Sequence, residues 1–429
     1  MLVIGITGAI GPATSDFVHR SLQKAHERRA QLVVLKMDTP GGLDESMRRI
    51  VQDVLASSIP VATLVAPEGA RAASAGTFIL YASHIAAMAP ATNLGAATPV
   101  SIGGGATSEP SRDGKADEKG GGGATRGIRA PSSPDAMREK AINDAAAYIR
   151  GLAELRGRDT VFAEDAVRKA ASLSASEALK RGVIEFIATD VPDLARQLDG
   201  RSVKLPAGAV TLALKDAAIE TIEPDLRTRV LSVLTNPMLA MVLMMIGVYG
   251  LFVEFTSPGF GVPGVAGAIA LLLALYSFQL LPVNWAGVAL LGLGAALMIA
   301  EVFMPSFGVL GVGGIVSFVI GGMLLMDTEV PAFQPSWPEV TGLAVLGAAA
   351  IVAFGVFARK AHRRPVVSGR EDMLGAAGVV ADGDGQWAEV RGERWKVRSA
   401  GALATGDRVR ITGIDGLTLD VVKDPNSRS

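Results

Sequence analysis

From residue 238 to 357 the chain runs through five apolar blocks, 238–255, 263–281, 285–304, 307–326 and 339–357. Each is close to the ~20 residues that a helix needs to cross a bilayer. Buried helices of a soluble domain could be apolar too, but five such runs separated by Pro/Gly turns point to a helical membrane domain over 237–358. Gly292, Gly294, Gly321 and Gly322 suit close helix packing. Glu254 and Glu301 are costly in lipid, so they are expected near segment ends or facing the bundle. Nothing basic in the blocks could pair with them, so a structural role is expected rather than an ion path.

The blocks divide a chain of 429 residues whose mean hydropathy is +0.36. Charges are ordinary before residue 230, nearly vanish through the blocks, and then return. Arg359, Lys360, Arg363, Arg364 and Arg370 follow the last block as a basic cluster, whereas 327–338 carries only acidic charge. Positive residues stay on the cytoplasmic side, which places the C-terminus inside. Five crossings then place the N-terminal domain outside. The cluster's position directly after an apolar block favours membrane anchoring over a nucleic-acid patch. The net charge of −1 gives no general pull towards nucleic acid. The absence of cysteine excludes disulfides and thiol chemistry, and four scattered histidines make a metal site an unpromising reading.

The chain opens directly on Leu2-Val3-Ile4-Gly5-Ile6, with no signal-like segment ahead of it. Either export relies on later segments, or the natural beginning is missing. Helical spacing over 14–29 and 43–57 alternates with strand-like runs at 2–6, 32–38, 61–66 and 85–88. That alternation indicates a layered α/β domain. Two loops in it could carry chemistry. Gly41-Gly42 ends one strand, and paired glycines let backbone N–H groups approach a reacting carbonyl; a plain turn is the alternative. Arg71-Ala72-Ala73-Ser74-Ala75-Gly76-Thr77 lies where the next strand hands over to a buried helix. There Ser74 is either an N-cap among packing alanines or an exposed hydroxyl beside free helix N–H groups. His84 would lie at the far end of the Ser74 helix, turned away, and reads as structural.

The segment 103–130 holds nine glycines and almost nothing apolar, so it reads as a disordered loop insert. Pro134-Asp135-Ala136-Met137-Arg138-Glu139-Lys140 then leads into a helix over 141–156, and read alone Lys140 is an ordinary solvated lysine. A small hairpin is expected at 203–214. Five short strands at 377–381, 387–391, 395–398, 408–411 and 417–422, punctuated by Asp-Gly pairs, suggest a small barrel over 372–424. Seven Lys/Arg against five Asp/Glu over 386–423, with two tryptophans, is a weak basis for nucleic-acid binding. A protein-interaction module is the preferred reading.

Asp38-Thr39-Pro40-Gly41-Gly42, Ser74-Ala75-Gly76, and Lys140 followed by Asn143-Asp144-Ala145-Ala146-Ala147-Tyr148-Ile149-Arg150 together resemble the NfeD family. The likeness continues through Gly157-Arg158, Leu173-Ser174-Ala175-Ser176-Glu177-Ala178-Leu179, the membrane region and the C-terminal module. It implies a membrane-bound serine protease of the Clp protease and signal peptide peptidase class. The N-terminal domain over 1–230 would have a crotonase/ClpP-like fold, and the barrel would be OB-like. By that resemblance Ser74 is the nucleophile, Lys140 the base, and the Gly42 and Ala75 N–H groups the oxyanion donors, with Gly41 beside them. The same resemblance implies an inner-membrane protein that oligomerises through its protease domain, contacts lipid, and cleaves hydrophobic segments of stomatin/prohibitin-like partners. No cofactor is implied. A non-catalytic scaffold for such partners is the alternative; acyl-CoA chemistry lacks an obvious carboxylate at the glycine pair. A Ser–Lys pair is chemically sound. Lysine's usual pKa is about 10.4, and desolvation in an apolar cleft favours the neutral amine that can take the serine proton.

Overall fold

Strands and helices alternate from the start: β1 (Leu2–Thr7), α1 (Pro12–Glu27), β2 (Val33–Asp38), α2 (Asp44–Ala56) and β3 (Val61–Val65). A three-residue strand β4 (Arg71–Ala73) then leads into α3 (Ala75–Ala82), β5 (Ile85–Met88) and β6 (Asn93–Gly95). Next come α4 (Pro134–Arg156), α5 (Thr160–Arg168), β7 (Ser172–Ser174), α6 (Ala175–Lys180), β8 (Phe186–Ile187) and α7 (Val191–Leu198). The expected hairpin is β9 (Ser202–Leu205) with β10 (Gly208–Thr211), followed by β11 (Glu220–Ile222) and α8 (Leu226–Leu234).

This is a computed structural model, and it describes residues 1–99, 134–206, 208–215, 217–256, 261–304, 306–326, 328, 330, 333–362 and 373–424. The expected insert at 103–130 and Arg363, Arg364 and Arg370 of the basic cluster lie outside the described residues. Contacts divide the chain into two units, Met1–Ile351 and Val352–Ser429.

Six strands form one parallel sheet in the order β11-β1-β2-β3-β5-β8. Its middle strands are covered on both faces, which is why β3 and β5 are apolar throughout instead of alternating. One face packs against Phe17, Val18, Ile50, Val54, Ile79, Leu80 and Phe162 of the helices. The other is closed by Leu194 and Leu198 of α7 with Val203 and Leu212 at the hairpin. A fully buried large apolar side chain contributes roughly 1.5–3 kcal/mol, so this core can hold a strained turn at its edge. A second, three-stranded sheet, β4-β6-β7, leaves the first where Thr39 bridges Ala72. The sequence reading missed it because its strands are three residues each, too short to show alternation. The expectation that α4 begins at residue 141 is also corrected. The helix starts at Pro134, whose fixed φ suits a first helical turn, so Lys140 lies within it.

The apolar blocks form α9 (Pro237–Thr256), α10 (Val262–Leu280), α11 (Trp285–Phe303), α12 (Val309–Leu324) and α13 (Trp337–His362). Four of these helices are long and apolar enough to cross a membrane; α12, with 16 residues, is the short one. Its length is about 24 Å, because the positive φ angles of Phe307 and Gly308 spend the head of the block on a turn. It nevertheless packs along α11: a Cβ added at Gly294 would lie 2.6 Å from Phe318 N, and one at Gly287 would lie 2.8 Å from Leu324 C. Gly321 and Gly322 are equally tight, whereas Gly292 faces open space and departs from the expected packing role.

Both membrane glutamates cap the following helix. Glu254 accepts from Gly261 N (3.1 Å), and Glu301 accepts from Ser306 N and Oγ, Gly308 N, Leu310 N and Gly311 N. They stand at matching places in a repeat, Glu254 with Phe260-Gly261-Val262-Pro263-Gly264 and Glu301 with Phe307-Gly308-Val309-Leu310-Gly311. Each thereby satisfies amides that a helix start leaves free, which lipid could not do.

In the second unit β12 (Ala377–Val380), β13 (Trp387–Val390), β14 (Glu393–Arg398), β15 (Arg408–Asp415) and β16 (Thr418–Lys423) close into a barrel in the order β12-β13-β14-β16-β15. Val380, Ala388, Val390, Val397, Val409, Ile411, Leu419 and Val421 fill it.

Candidate active site

β4 delivers the chain to Ser74, and α3 begins at the next residue. Ser74 adopts φ 50° and ψ −114°, outside the regions a side chain prefers. Such a residue costs about 1–3 kcal/mol and persists only where its surroundings over-determine it. Here they do. Ser74 N donates to Gly95 O (2.9 Å), and Thr77 N donates back to Ser74 O (2.9 Å). The buried Thr77 hydroxyl donates to Ala72 O or Gly95 O (2.8 and 3.0 Å) and accepts from Gly95 N (3.1 Å). Gly76 is enclosed, since a Cβ there would meet Thr39 Cγ2 at 2.6 Å.

Although Ser74 occupies the N-cap position, its side chain makes no capping hydrogen bond. The hydroxyl is half-buried and faces Gly41. A Cβ placed on Gly41 would lie 2.7 Å from Ser74 Cβ and 3.1 Å from its Oγ, and Gly41 holds φ 119°, so glycine is required twice over. The Gly41 N–H is already donated to Thr39 Oγ1 (3.1 Å). Gly41 therefore supplies space, and it is Gly42 and Ala75 whose N–H groups have no hydrogen-bond partner among the described residues. Gly42 sits against the Ile10 backbone, bridged by Ile10 N to Gly41 O (2.9 Å) and Leu43 N to Ile10 O (2.8 Å). An uncommitted hydroxyl beside two uncommitted N–H groups is a geometry that can accept an acyl group.

Lys140 is exposed and bonds to no described residue. It lies one turn before Asp144, and Asp144 ties its helix to the glycine turn. Arg48 of α2 bonds both Asp144 (2.6 Å) and Asp44 (2.8 Å), three residues beyond Gly41. The Arg48 guanidinium also lies 4.6 Å from the centre of the Tyr148 ring, and Tyr148 stacks on Phe78 of α3 at 5.9 Å. Exposed ion pairs add little stability, so the value of this chain of contacts is to fix α4 against α2 and α3. Arg48 carried no sequence signal; Asp44 and Arg48 at i,i+4 on a helix face look like any surface pair.

The far end of α3 is also held. Buried Arg158 donates to Leu80 O (2.8 Å) and Tyr81 O (3.1 Å) and pairs with Glu185 (2.8 Å); Arg156 donates to Ala82 O (2.8 Å). Beyond it, His84 Nδ1 accepts the Val61 N–H (3.3 Å), and burial, helped by Arg156 and Arg158, lowers its pKa to about 4. An eight-residue helix, about 12 Å long, separates this neutral imidazole from Ser74. No cluster of metal-ligating side chains occurs among the described residues.

Residues 1–144 match the NfeD1b N-terminal domain, 238–359 the NfeD integral membrane domain, and 370–423 the NfeD-like C-terminal, partner-binding domain. Over 98% of its length the chain is 35% identical to the membrane-bound protease PH1510 of Pyrococcus horikoshii, of which it covers 93%. It is 30% identical to the membrane protein NfeD1b of Bacillus subtilis over 64% of this chain and 55% of that one. Among solved structures it is similar to a lysine-to-alanine mutant of the 1510-N membrane-bound stomatin-specific protease in complex with a substrate peptide. That match has 34% identity, 54% coverage of this chain, 95% of the other, and a TM-score of 0.44. The 1510-N membrane protease specific for a stomatin homolog from Pyrococcus horikoshii matches at 32% identity, with 55% and 98% coverage and a TM-score of 0.42.

Proposed function

The chain belongs to the NfeD family, and from that premise we propose that this membrane-bound serine protease works through Ser74 with Lys140 as its base. Ser74 Oγ attacks the peptide carbonyl while Lys140 Nζ takes the hydroxyl proton. The carbonyl electrons move onto oxygen, where the Gly42 and Ala75 N–H groups receive the charge. Collapse expels the amine, which leaves with the proton from Lys140. Water then attacks the acyl ester as Lys140 takes its proton; the ester C–O bond breaks, the acid departs, and Lys140 returns the proton to Ser74 Oγ. The observation that carries this reading is the strained strand-to-helix turn whose serine hydroxyl caps nothing and faces Gly41. Lys140 is exposed in the single chain, so the desolvation that would free its amine comes from whatever covers it, the bound substrate or a second copy.

The substrate we infer is a hydrophobic segment of a stomatin/prohibitin-like membrane protein, a choice supported by the naming of the relatives as stomatin-specific. The barrel is read as the site of a protein partner, supported by the description of its matching domain as partner-binding. The protease domain is placed outside the inner membrane and the barrel in the cytoplasm, on the strength of the basic residues after the last apolar block. Labelling the full-length protein with a fluorophosphonate tests the nucleophile. Wild type should be labelled and Ser74→Ala should not; equal labelling of the two would refute the assignment.

A further inference from the structure

The Gly41–Gly42 turn does not stand alone. It is bridged to Ile10, and Ile10 is fully buried between Ala9 and Gly11. What lies on the other side of that short segment comes from the membrane domain. Phe333, in the connection between α12 and α13, is 7% exposed, and its ring seats on Gly11: a Cβ added there would lie 2.9 Å from Phe333 Cζ. The same ring belongs to the apolar cluster of Met241, Val340 and Leu343 from α9 and α13, and Ala9 and Leu43 pack against that cluster. Leu43 is the residue after Gly42. The glycine turn is thus pressed from two sides, through Ile10 and through Leu43, by side chains anchored among membrane helices.

We propose that Phe333 is a positioning residue for catalysis: it holds the Ala9–Gly11 segment and thereby aims the Gly42 N–H at the oxyanion. The inference rests on the reading of Gly42 as an oxyanion donor. Removing the ring leaves a space under Gly11 into which Ile10 can settle, and the turn bonded to it follows. A misplacement of about 1 Å at a reacting centre costs up to about a hundredfold in rate, so a partial shift should cost about tenfold. The loss should fall on the chemical step, because the ring seats on Gly11 and reaches the turn only through the segment bridged to Gly42.

The test uses the full-length protein in detergent, a quenched-fluorescent apolar peptide as substrate, and the rate of fluorophosphonate labelling. Phe333→Ala should lower kcat and the labelling rate together by about tenfold, with KM within about twofold of wild type. Phe333→Leu, which refills most of the space, should recover much of the rate. Gly11→Ala, which pushes the ring from the opposite side, should lower kcat as Phe333→Ala does, and it carries the test if Phe333→Ala fails to fold. Unchanged kcat and labelling in well-folded Phe333→Ala or Gly11→Ala would overturn the proposal, as would a change confined to KM. Ser74→Ala separates the two ideas. If it still cleaves, the reading of the site fails regardless of Phe333; if it is dead while Phe333→Ala is fully active, only the positioning role fails.

Discussion

Ser74 and His84 stand at opposite ends of one short helix, and their surroundings give them opposite characters. Ser74 is strained, half-exposed and uncommitted; His84 is bonded through Nδ1 and kept neutral by burial. The histidine has a consequence for stability. Its pKa is about 4 in the folded chain and about 6.5 when unfolded. Between those values the unfolded state binds the extra proton, so stability is lost as pH falls from about 6.5 towards 4 and is fully present above that window. Thermal unfolding of His84→Asn, which keeps an acceptor for the Val61 N–H, should fall less steeply across that range than wild type. Parallel acid limbs would contradict the assigned role. At this scale the sequence marked Ser74 and the Gly41-Gly42 pair as candidates by residue type and loop position, each with a plain structural alternative. It was silent where a role depends on reach: Thr77, Gly95 and Arg48 act through contacts between elements distant in the chain.

Among the elements, the α11–α12 pair gives the sharpest contrast, because Gly292 and Gly294 lie on one helix and only Gly294 meets a neighbouring backbone. Close approach without side chains is what drives helix association in lipid. Gly294→Ala should therefore lower the melting temperature of the detergent-solubilised protein by several degrees, of the order expected for about 1–3 kcal/mol of overpacking. Gly292→Ala should leave it unchanged, and equal effects would argue against this packing. Periodicity and length disclosed these helices but not which glycine faces a partner, since that depends on helix rotation. The barrel repeats the point. Its five strands were readable from alternation, yet β14 begins at Glu393 and not at 395, because Arg391 and Gly392 both take positive φ and form a tight two-residue hairpin turn. Asp-Gly pairs announce such turns more plainly than Arg-Gly does.

At the scale of the whole molecule, a protease domain is joined to a membrane domain, and Phe333 seats on Gly11 between them. The proposed sidedness requires α12 to cross together with the four longer helices; reporters fused after residue 230 and at the C-terminus should then report opposite sides of the membrane, and the same side for both would remove one crossing. The domain order was legible because charge, apolar run length and strand alternation change sharply along the chain. The seating of Phe333 on Gly11 was not, since a lone phenylalanine between two apolar blocks carries no pattern. In the proposed dyad Lys140 gives and takes a proton. Peptide cleavage by full-length Lys140→Arg, with folding verified by circular dichroism, tests it most directly, because arginine keeps the charge but cannot surrender its proton. The account predicts a fall of several orders of magnitude, approaching that of Ser74→Ala. A Lys140→Arg protein that cleaves at the wild-type rate would contradict it.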